Sequence, residues 1–572
     1  MLTLSRACLL ACVIVLVSSQ ARAQLHEEVG RQVPDANLTI VSDGCAALKA
    51  SNIKSDLPVV IIWTPASNLT KRERQSMTIS TCTNDPAIKD MSATGLVRVR
   101  GNSSIRNQKK SWALKFRYPN GTNDNSEFLG MPAEHDWALY GGDVTDGTSG
   151  MRNYLAYNAA RAVGRYASRT VWVNLYLCTG GAPLSEDCYH GMYMAEEPVR
   201  RDKDRVDIKK WKPDNPTGGY IVVYDNDNWD STELQVPKFD NMQEPFIMKD
   251  PVPSDPAQAA VATQYMHDAL SNFTAALNGP NWLDAKTGYT SHLNFQSWVD
   301  YFLLVELSKN PDGYRGSTFV VKDRDGLLTA GPLWDYNEAF GICCGFPFVG
   351  YDDGGVSEPG QAGGSAISPN GWRFLMCADP ERCEFDPEDG ISSWYRVMWK
   401  DVAFRAAAAR RWAVWRQGPL SDAQIVDIID GPRPILNASA IRDLEFWSEE
   451  NLKDGYTSAP VQWKTEMDFL RTWTLERANW MDVALNLAKT ADYRYPQDNL
   501  VPVPLHAGEW PRLSPVVQEA FLAPLDETMA PLDEAVAPLD EAMAPLDEAA
   551  PLAGPGVAAA GSQNVRAAGA NE

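Results

Sequence analysis

The sequence lacks the short patterns that build many metal and hydrolase sites. Its six histidines are scattered along 572 residues with no HxH or HxxxH pair, and no CxxC pair is present. A histidine or zinc centre is therefore not expected. The GxSxG pattern of a hydrolase nucleophile elbow is also absent. Beyond the N-terminus, no stretch is long and apolar enough to cross a bilayer.

Basic residues are scarce relative to acidic ones. The chain has 52 Lys and Arg against 74 Asp and Glu, which gives a formal net charge of −22. Such a surface repels phosphate backbones, so we expect no nucleic-acid partner. With 44% hydrophobic and 10% aromatic residues, the chain has enough apolar area for a large folded core.

The N-terminus is typical of an export signal. Arg6 precedes an apolar run over residues 7–17, and Ala21-Arg22-Ala23 offers a small-x-small cleavage site. The run of about 11 residues is shorter than the ~20 that a membrane anchor needs. We therefore predict a signal peptide over residues 1–23, a mature chain from Gln24, and a secreted protein.

Eight cysteines remain after the signal peptide is removed, and an even number in an oxidising compartment predicts disulfides. The closest pairs are Cys178/Cys188 and Cys377/Cys383, while the pairing of the other four stays open. Six N-glycosylation sequons fit the secretory route. They lie at Asn37, Asn68, Asn102, Asn120, Asn272 and Asn437.

The C-terminal region differs from the rest in composition. The unit APLDE recurs every seven residues from Ala523, and its prolines prevent a continuous helix. We predict an extended, acidic, low-complexity tail over residues 501–572. The folded domain is then expected over residues 24–500.

Two kinds of secondary structure divide this domain. Short β-branched or alternating runs predict strands, with one helix among them near 151–163. The strand runs lie at 58–63, 95–100, 112–118, 170–177 and 219–224. Longer patterns predict helices over 257–277, 295–309, 394–415 and 462–487. Strands followed by helices predict an α+β fold with two lobes.

Two aspartates flank the one strand-turn-strand pattern of the helical half. Asp312 follows the helix that ends at Lys309, the hairpin spans 317–329, and Asp335 comes after it. Two carboxylates at the ends of one hairpin can converge on one point. Phosphoryl transfer uses one carboxylate to accept the hydroxyl proton and another to hold the metal that bridges the phosphates.

The sequence resembles the CotH kinase family over roughly Val97 to Phe340. The resemblance depends on several blocks that occur in the family's order. They are RGNSSIRNQKKSWALKF from Arg100, FLGMP from Phe128, MRNYLAYNAAR from Met151, VNLYL, HGMYMAEE, RVDI, GGY, NPDGY-RGSTF and GPLWDYNEAFG. It implies an atypical kinase fold that transfers the γ-phosphoryl group of ATP, with Mg²⁺ or Mn²⁺, to hydroxyls of exported or coat proteins.

The resemblance also implies roles for residues around the hairpin. Asp312 corresponds to the catalytic-loop aspartate and Asp335 to the metal-binding aspartate of a DFG-type segment. Kinases place a second metal ligand, Asn, five residues after the catalytic aspartate. Ser317 occupies that position here, and Asn337 is a possible substitute.

The predicted nucleotide contacts come from the strand-rich half. In the strand SWALKF, Ala113 and Lys115 share one face, as in the kinase strand whose lysine reaches the phosphates. Lys110 and Lys109 are alternatives to Lys115. The loop with Gly101, Asn102 and Ser103 is a candidate phosphate cover. Glu197 is expected to hold the lysine, with the adjacent Glu196 as the alternative.

Two other functions stay open from the sequence. Ser317 and the sequon at Asn102 are compatible with a non-catalytic surface or coat protein that uses the fold for adhesion or assembly. Asp312 and Asp335 would also suit a carbohydrate-active enzyme with paired carboxylates. Nucleotide binding in the presence of a divalent metal distinguishes a kinase from both.

Overall fold

The computed structural model describes residues 44–489, except for residues 102, 143–145, 147–149, 226–232, 240–241, 243, 343–367, 376–389 and 449–455. Several predictions lie outside the described residues. They concern the signal peptide, the acidic tail, Asn102 and the cysteines Cys343, Cys344, Cys377 and Cys383.

The first half of the chain forms a closed seven-stranded barrel. Its strand order is β1-β2-β3-β4-β7-β9-β8, and a parallel pairing of β1 with β8 closes it. The bounds are β1 Val59–Trp63, β2 Gln75–Cys82, β3 Met91–Arg100, β4 Ser111–Phe116, β7 Asp136–Tyr140, β8 Thr170–Cys178 and β9 Tyr189–Glu196. A separate short hairpin consists of β5 Ser126–Phe128 and β6 Met131–Glu134.

Side-chain alternation explains the two faces of the barrel wall. On β3, Val97 and Val99 belong to the buried apolar cluster that fills the barrel, and Leu114 on β4 joins them. The intervening residues, including Arg98 and Arg100, therefore project outward. The same rule places Lys115 of β4 outside, as the alternation in SWALKF predicts.

A second sheet follows the barrel. Its order is β11-β10-β12-β13, with β10 Tyr220–Tyr224, β11 Phe246–Asp250, β12 Thr318–Lys322 and β13 Leu328–Ala330. The last two strands are the predicted hairpin. Both faces of β10 are covered: Val222 belongs to the large helical core, and Val223 to a smaller cluster on the other side.

Nine α-helices lie within the described residues. Their bounds are α1 Gly44–Ala50, α2 Met151–Ala162, α3 Pro256–Asn278, α4 Phe295–Ser308, α5 Gly390–Met398, α6 Val402–Gln417, α7 Asp422–Asp430, α8 Arg433–Phe446 and α9 Ala459–Ala488. The helix predicted over 394–415 is in fact two helices. Asp401 separates them because its carboxylate accepts a hydrogen bond from the Ala403 N–H at 2.8 Å and caps α6.

The α+β class is confirmed, and tryptophan packing accounts for much of the core. Trp298, Trp394, Trp399 and Trp463 are among the largest fully buried side chains and join one cluster with α3, α4, α6 and α9. The predicted Cys178–Cys188 disulfide is present. A second disulfide, Cys45–Cys82, ties α1 to β2. No helix within the described ranges has the length and apolarity needed to span a membrane.

Candidate functional site

Asp312 lies in a tight turn between α4 and β12. The Arg315 and Gly316 N–H groups both donate to its backbone carbonyl, at 2.9 and 2.7 Å. Its side chain is 41% exposed, and Arg315 Nη1 lies 3.8 Å from Asp312 Oδ1. The turn therefore presents this carboxylate to a ligand from solvent.

Asp335 lies in the segment after β13, and α2 holds the backbone of that segment. The Asp335 N–H donates to the Tyr157 hydroxyl at 3.3 Å, and the Tyr336 N–H donates to Asn153 Oδ1 at 2.6 Å. Arg152 Nε donates to the Ala339 carbonyl at 3.1 Å. Three side chains of one helix thus fix residues 335–339. These contacts support a left-handed conformation at Asp335, with a φ of 65°.

One side chain connects the two aspartate segments. Asn310 Nδ2 donates to the Asp335 carbonyl at 3.1 Å, and Asn310 Oδ1 accepts from the Asp312 N–H at 3.1 Å. Arg373 Nε in turn donates to the Asn310 carbonyl at 2.7 Å. The backbones that carry Asp312 and Asp335 are therefore connected through one side chain.

A buried ion pair holds the backbone of Arg373, the residue that contacts Asn310. Glu306 on α4 pairs with Arg477 on α9 at 3.1 Å, and both side chains are fully buried. The Glu306 carboxylate also accepts from the Arg373 and Phe374 N–H groups, at 2.6 and 3.0 Å. Burial raises the pKa of Glu306, while Arg477 opposes that rise. Such a pair is costly to break because one charge would be left buried and unpaired.

An ion pair on the outside of the barrel lies beside the Asp335 segment. Arg100, at the end of β3, donates from Nη1 to Glu196 Oε1 on β9 at 2.7 Å. The Arg100 guanidinium lies 5.1 Å from the ring centre of Trp334, which stacks on Tyr157 with ring centres 6.3 Å apart. Burial, Glu196 and Asp335 together raise the pKa of Tyr157. Arg100 is thus a cation close to the predicted metal ligand.

Glu196 makes fewer hydrogen bonds than a buried carboxylate usually does. It is 2% exposed, and its Oε2 atom has no hydrogen-bond partner among the described residues. Burial raises its pKa against the opposing effect of Arg100. Buried polar atoms are nearly always hydrogen-bonded, so this atom marks a place where a bound group or water would complete the site.

Lys115 lies elsewhere on the barrel wall. It pairs in register with Asp136 of β7, and its Nζ lies 3.1 Å from Asp136 Oδ1. Along the β3–β4 ladder, Arg100 faces Ser111 while Lys115 faces Leu96. Four residues at about 3.3 Å each place Lys115 about 13 Å along the sheet from Arg100. Burial lowers the pKa of Lys115 to about 8, and Asp136 opposes this shift.

Glu197 has different partners from those predicted. Arg169 Nη2 donates to its Oε1 at 2.8 Å, and Arg205 Nε lies 3.5 Å from the same oxygen. The structure therefore pairs Lys115 with Asp136 and Glu197 with two arginines. The acid next to the Asp335 segment is Glu196.

The loop after β3 is held by Lys110. Its Nζ donates to the Ile105 carbonyl at 2.7 Å and also to the carbonyl of Asn107. Gly101 has a φ of 114°, which favours glycine, and Ser103 begins a short 3-10 helix over Ser103–Arg106. This loop directly follows Arg100, at the same end of the barrel as the Arg100–Glu196 pair.

The other candidate metal ligands lie on the Asp312 and Asp335 segments, which Asn310 connects. Asn337 is half-buried two residues after Asp335, and Ser317, with a φ of 47°, follows the Asp312 turn. The part of the chain that the structure describes contains no group of three or more His, Cys, Asp or Glu side chains suited to a metal. Mg²⁺ commonly uses one or two protein carboxylates together with substrate phosphates, so a small protein ligand set fits it.

Several residues of this site were not singled out from the sequence. Asn310, Tyr157 and Arg100 are the main ones, whereas Glu196 was the alternative to Glu197. Each lies within a family-like block, and Asn153 and Tyr157 share one face of α2. The polar residues on one helix face were the sequence signal for these contacts, because buried polar side chains usually have fixed hydrogen-bond partners.

The fold thus combines a closed barrel with a hairpin whose two ends carry Asp312 and Asp335 on segments connected by Asn310. A family model described as "CotH kinase protein" matches residues 97–481, more than half of the chain. The chain therefore belongs to the CotH kinase family. A search of the curated proteins finds no match to the chain.

Proposed function

We propose that the protein is a secreted protein kinase that transfers the γ-phosphoryl group of ATP to hydroxyl groups of exported or coat proteins. The observation that supports this most is the bridge through Asn310, which ties the Asp312 and Asp335 segments beside the Arg100–Glu196 pair. The barrel and the helical part would then form the two lobes of an atypical kinase fold.

Each residue has a distinct role in this proposal. Asp335, with Asn337, holds the divalent metal. Arg100 donates hydrogen bonds to phosphate oxygens, and Glu196 orients its guanidinium. Asp312, exposed at the turn, accepts the proton of the acceptor hydroxyl. When bound, Mg²⁺ or Mn²⁺ neutralises charge on the phosphate oxygens.

The residues present fit such a ligand set. Asp335 and Asn337 offer oxygen ligands, which hard divalent cations prefer. Arg100 is 25% exposed, so its guanidinium is reachable from solvent. Its planar fork suits bidentate contact with phosphate. The buried Oε2 atom of Glu196 lies at the same place.

Secretion is part of the same proposal. Two disulfides, Cys45–Cys82 and Cys178–Cys188, fit an oxidising compartment. The predicted signal peptide over residues 1–23 would provide the export route. Analysis of the mature N-terminus of the secreted protein tests this directly, with Gln24 as the expected first residue.

One observation favours a second candidate, a non-catalytic coat or adhesion protein. Ser317 stands where kinases place a metal-binding Asn, and a hydroxyl is a weaker ligand than an amide oxygen. The test is a thermal-shift titration with ATP and Mn²⁺, followed by a phosphotransfer assay on a Ser- and Thr-rich acceptor. Metal-dependent stabilisation and transfer support the kinase. If both are absent from the folded protein, the non-catalytic candidate takes its place.

A further inference from the structure

A compact group of cations lies on the outer wall of the barrel, away from the Asp335 segment. Its members come from four separate segments of a strongly acidic chain. We call it the basic cluster, and it consists of Arg74, Arg98, Lys115, Arg117 and Arg200.

One carboxylate lies among these cations. Asp136 is 2.8 Å from Arg200 Nε and 3.1 Å from Lys115 Nζ. His135 Nε2 lies 3.6 Å from Asp136 Oδ2, while Glu134 pairs with the other ring nitrogen of His135. Despite the cost of burial, Arg200 and Lys115 lower the pKa of Asp136. Asp136 thus pairs directly with two cations of the basic cluster, Arg200 and Lys115, and interacts with a third, Arg74.

The strand register explains why the cations converge. Arg98 of β3 faces Ala113 of β4, and Lys115 follows two residues later on the same face. Arg74 directly precedes β2, whose first residue pairs with Val97 of β3. Backbone pairing therefore places Arg98 and Lys115 on adjacent strands and Arg74 at the start of the next strand, with strands about 4.8 Å apart.

The cations are also partly removed from water. Lys115 is 16% exposed, and Arg117 is 8% exposed. Burial, with Arg98, Arg200 and Arg117 nearby, lowers the pKa of Arg74 to about 10, against the opposing effect of Asp136. Positive charges that are partly removed from water repel one another. The free-energy cost of this repulsion falls when an anion binds among them.

Two arginines of the basic cluster have buried donor atoms. Arg74 Nη1 and Arg117 Nε are buried without a hydrogen-bond acceptor among the described residues. Arg200, which is 46% exposed, leaves the cluster reachable from solvent. Buried unsatisfied guanidinium donors beside excess positive charge are the features expected of an oxyanion site.

We propose that the basic cluster binds a tetrahedral oxyanion, a phosphate group, at a site separate from the Asp335 segment. Lys115 and its partner Asp136 lie about 13 Å along the sheet from Arg100, so a phosphate bound beside Lys115 is at a different place from one bound by Arg100. Two sources can carry this group: free inorganic phosphate, or a phosphorylated residue on a polypeptide. The proposal stands independently of the proposed kinase activity.

The first test uses inorganic phosphate and the full chain. Phosphate at about 10 mM, a concentration well above the dissociation constant expected of a weak site, should raise the melting temperature. The expected rise is about 2 °C or more relative to chloride of equal ionic strength. The rise should persist in Asp335→Ala and without any divalent metal. It should be lost in Arg74→Gln/Arg200→Gln and retained in Lys464→Gln, a matched change at a residue that is 74% exposed.

Two further variants keep the test decisive if the double variant fails to fold. Arg200→Gln alone changes a half-exposed residue and should weaken phosphate binding several-fold. Asp136→Asn removes the competing carboxylate, so phosphate should bind it about tenfold more tightly than wild type. A structural role alone would not produce that gain.

The second arm separates the sources of the phosphate. A phosphoserine peptide that binds the wild type but not Arg200→Gln, while its unphosphorylated form binds neither, identifies a phosphorylated polypeptide. Phosphate binding without any peptide binding identifies the free ion. The proposal is overturned if phosphate gives no stabilisation beyond chloride, if Arg200→Gln binds it as the wild type does, or if Asp335→Ala abolishes its binding.

Discussion

The side-chain amide of Asn310 donates a hydrogen bond to the backbone carbonyl of Asp335 at 3.1 Å. The same side chain accepts a hydrogen bond from the Asp312 N–H. It therefore fixes the distance between the segment that precedes the hairpin and the segment that follows it. The Asn310 side chain makes both hydrogen bonds to backbone atoms, so it does not itself occupy either carboxylate. Asn310 is thus a positioning residue in the proposed mechanism.

Replacement of Asn310 by alanine should reduce phosphotransfer far more than folding. We expect about a 100-fold lower kcat, because displacements near 1 Å cost rates of that order. The lost buried hydrogen bonds should lower the unfolding free energy by about 1–3 kcal/mol. Single-turnover assays and thermal melts measure the two effects. Asn479→Ala, which removes one acceptor of Arg416, is the control. Wild-type turnover in folded Asn310→Ala would rule out the positioning role.

Arg100 and Lys115 should differ in their effect on nucleotide binding. Arg100 lies by Trp334 and the Asp335 segment, whereas Lys115 pairs with Asp136. Arg100→Gln should weaken ATP–Mn²⁺ binding about tenfold or more, since charge-assisted hydrogen bonds contribute about 1.5–3 kcal/mol. Lys115→Gln should have a smaller effect. Calorimetric titration measures both affinities. A larger loss of ATP–Mn²⁺ affinity in Lys115→Gln would show that Lys115, and not Arg100, makes the phosphate contact.

The sequence was sufficient to locate most regular elements. Alternation and β-branched runs predicted β1, β4 and β10 within one or two residues, and the strand-turn-strand pattern over 317–329 predicted the hairpin of β12 and β13. The closure of the barrel was not predicted, because the parallel pairing of β1 with β8 joins residues more than a hundred positions apart. No local pattern encodes such a pairing.

The partners of the charged residues were harder to predict than the strands. Glu196 and Glu197 are adjacent, and which of them faces outward depends on where β9 ends. A shift of one residue reverses the face of every side chain. Lys115 was placed on the correct face, but its neighbour Asp136 comes from β7, whose register with β4 is a tertiary property.

His190 should make stability depend on pH in the acid range. Burial and then Lys109 lower the pKa of His190 to about 4, below the unfolded value of 6.5. The unfolded state therefore binds more protons between these values, and stability is lost as the pH falls from about 6.5 to 4. The shift corresponds to at most about 3.5 kcal/mol.

Urea unfolding of His190→Gln between pH 4 and 7 tests this expectation. The variant should show a flatter dependence of unfolding free energy on pH than the wild type. His267→Gln, at a side chain that is 26% exposed, should retain the wild-type slope. Equal slopes in all three proteins would exclude His190 as the source.

The two disulfides should stabilise the fold to different extents. Cys45–Cys82 closes a loop with a sequence separation of 37, against 10 for Cys178–Cys188. Loop-closure entropy predicts about 4 and about 3 kcal/mol, respectively. Paired serine variants, measured by chemical denaturation, should therefore rank in that order. The reverse order would show that local packing outweighs loop length.

The binding of ATP–Mn²⁺ to Asp335→Ala and Asp312→Asn, measured side by side by calorimetry, tests the central claim most directly. Asp335→Ala should lose binding, because the metal and its phosphates lose their ligand. Asp312→Asn should stay within a few-fold of the wild type, since its carboxylate acts on the acceptor hydroxyl. Asp323→Asn, in the turn of the same hairpin, should bind normally. Equal affinities for the Asp335 and Asp312 variants, or no metal-dependent binding by the wild type, would contradict the kinase account.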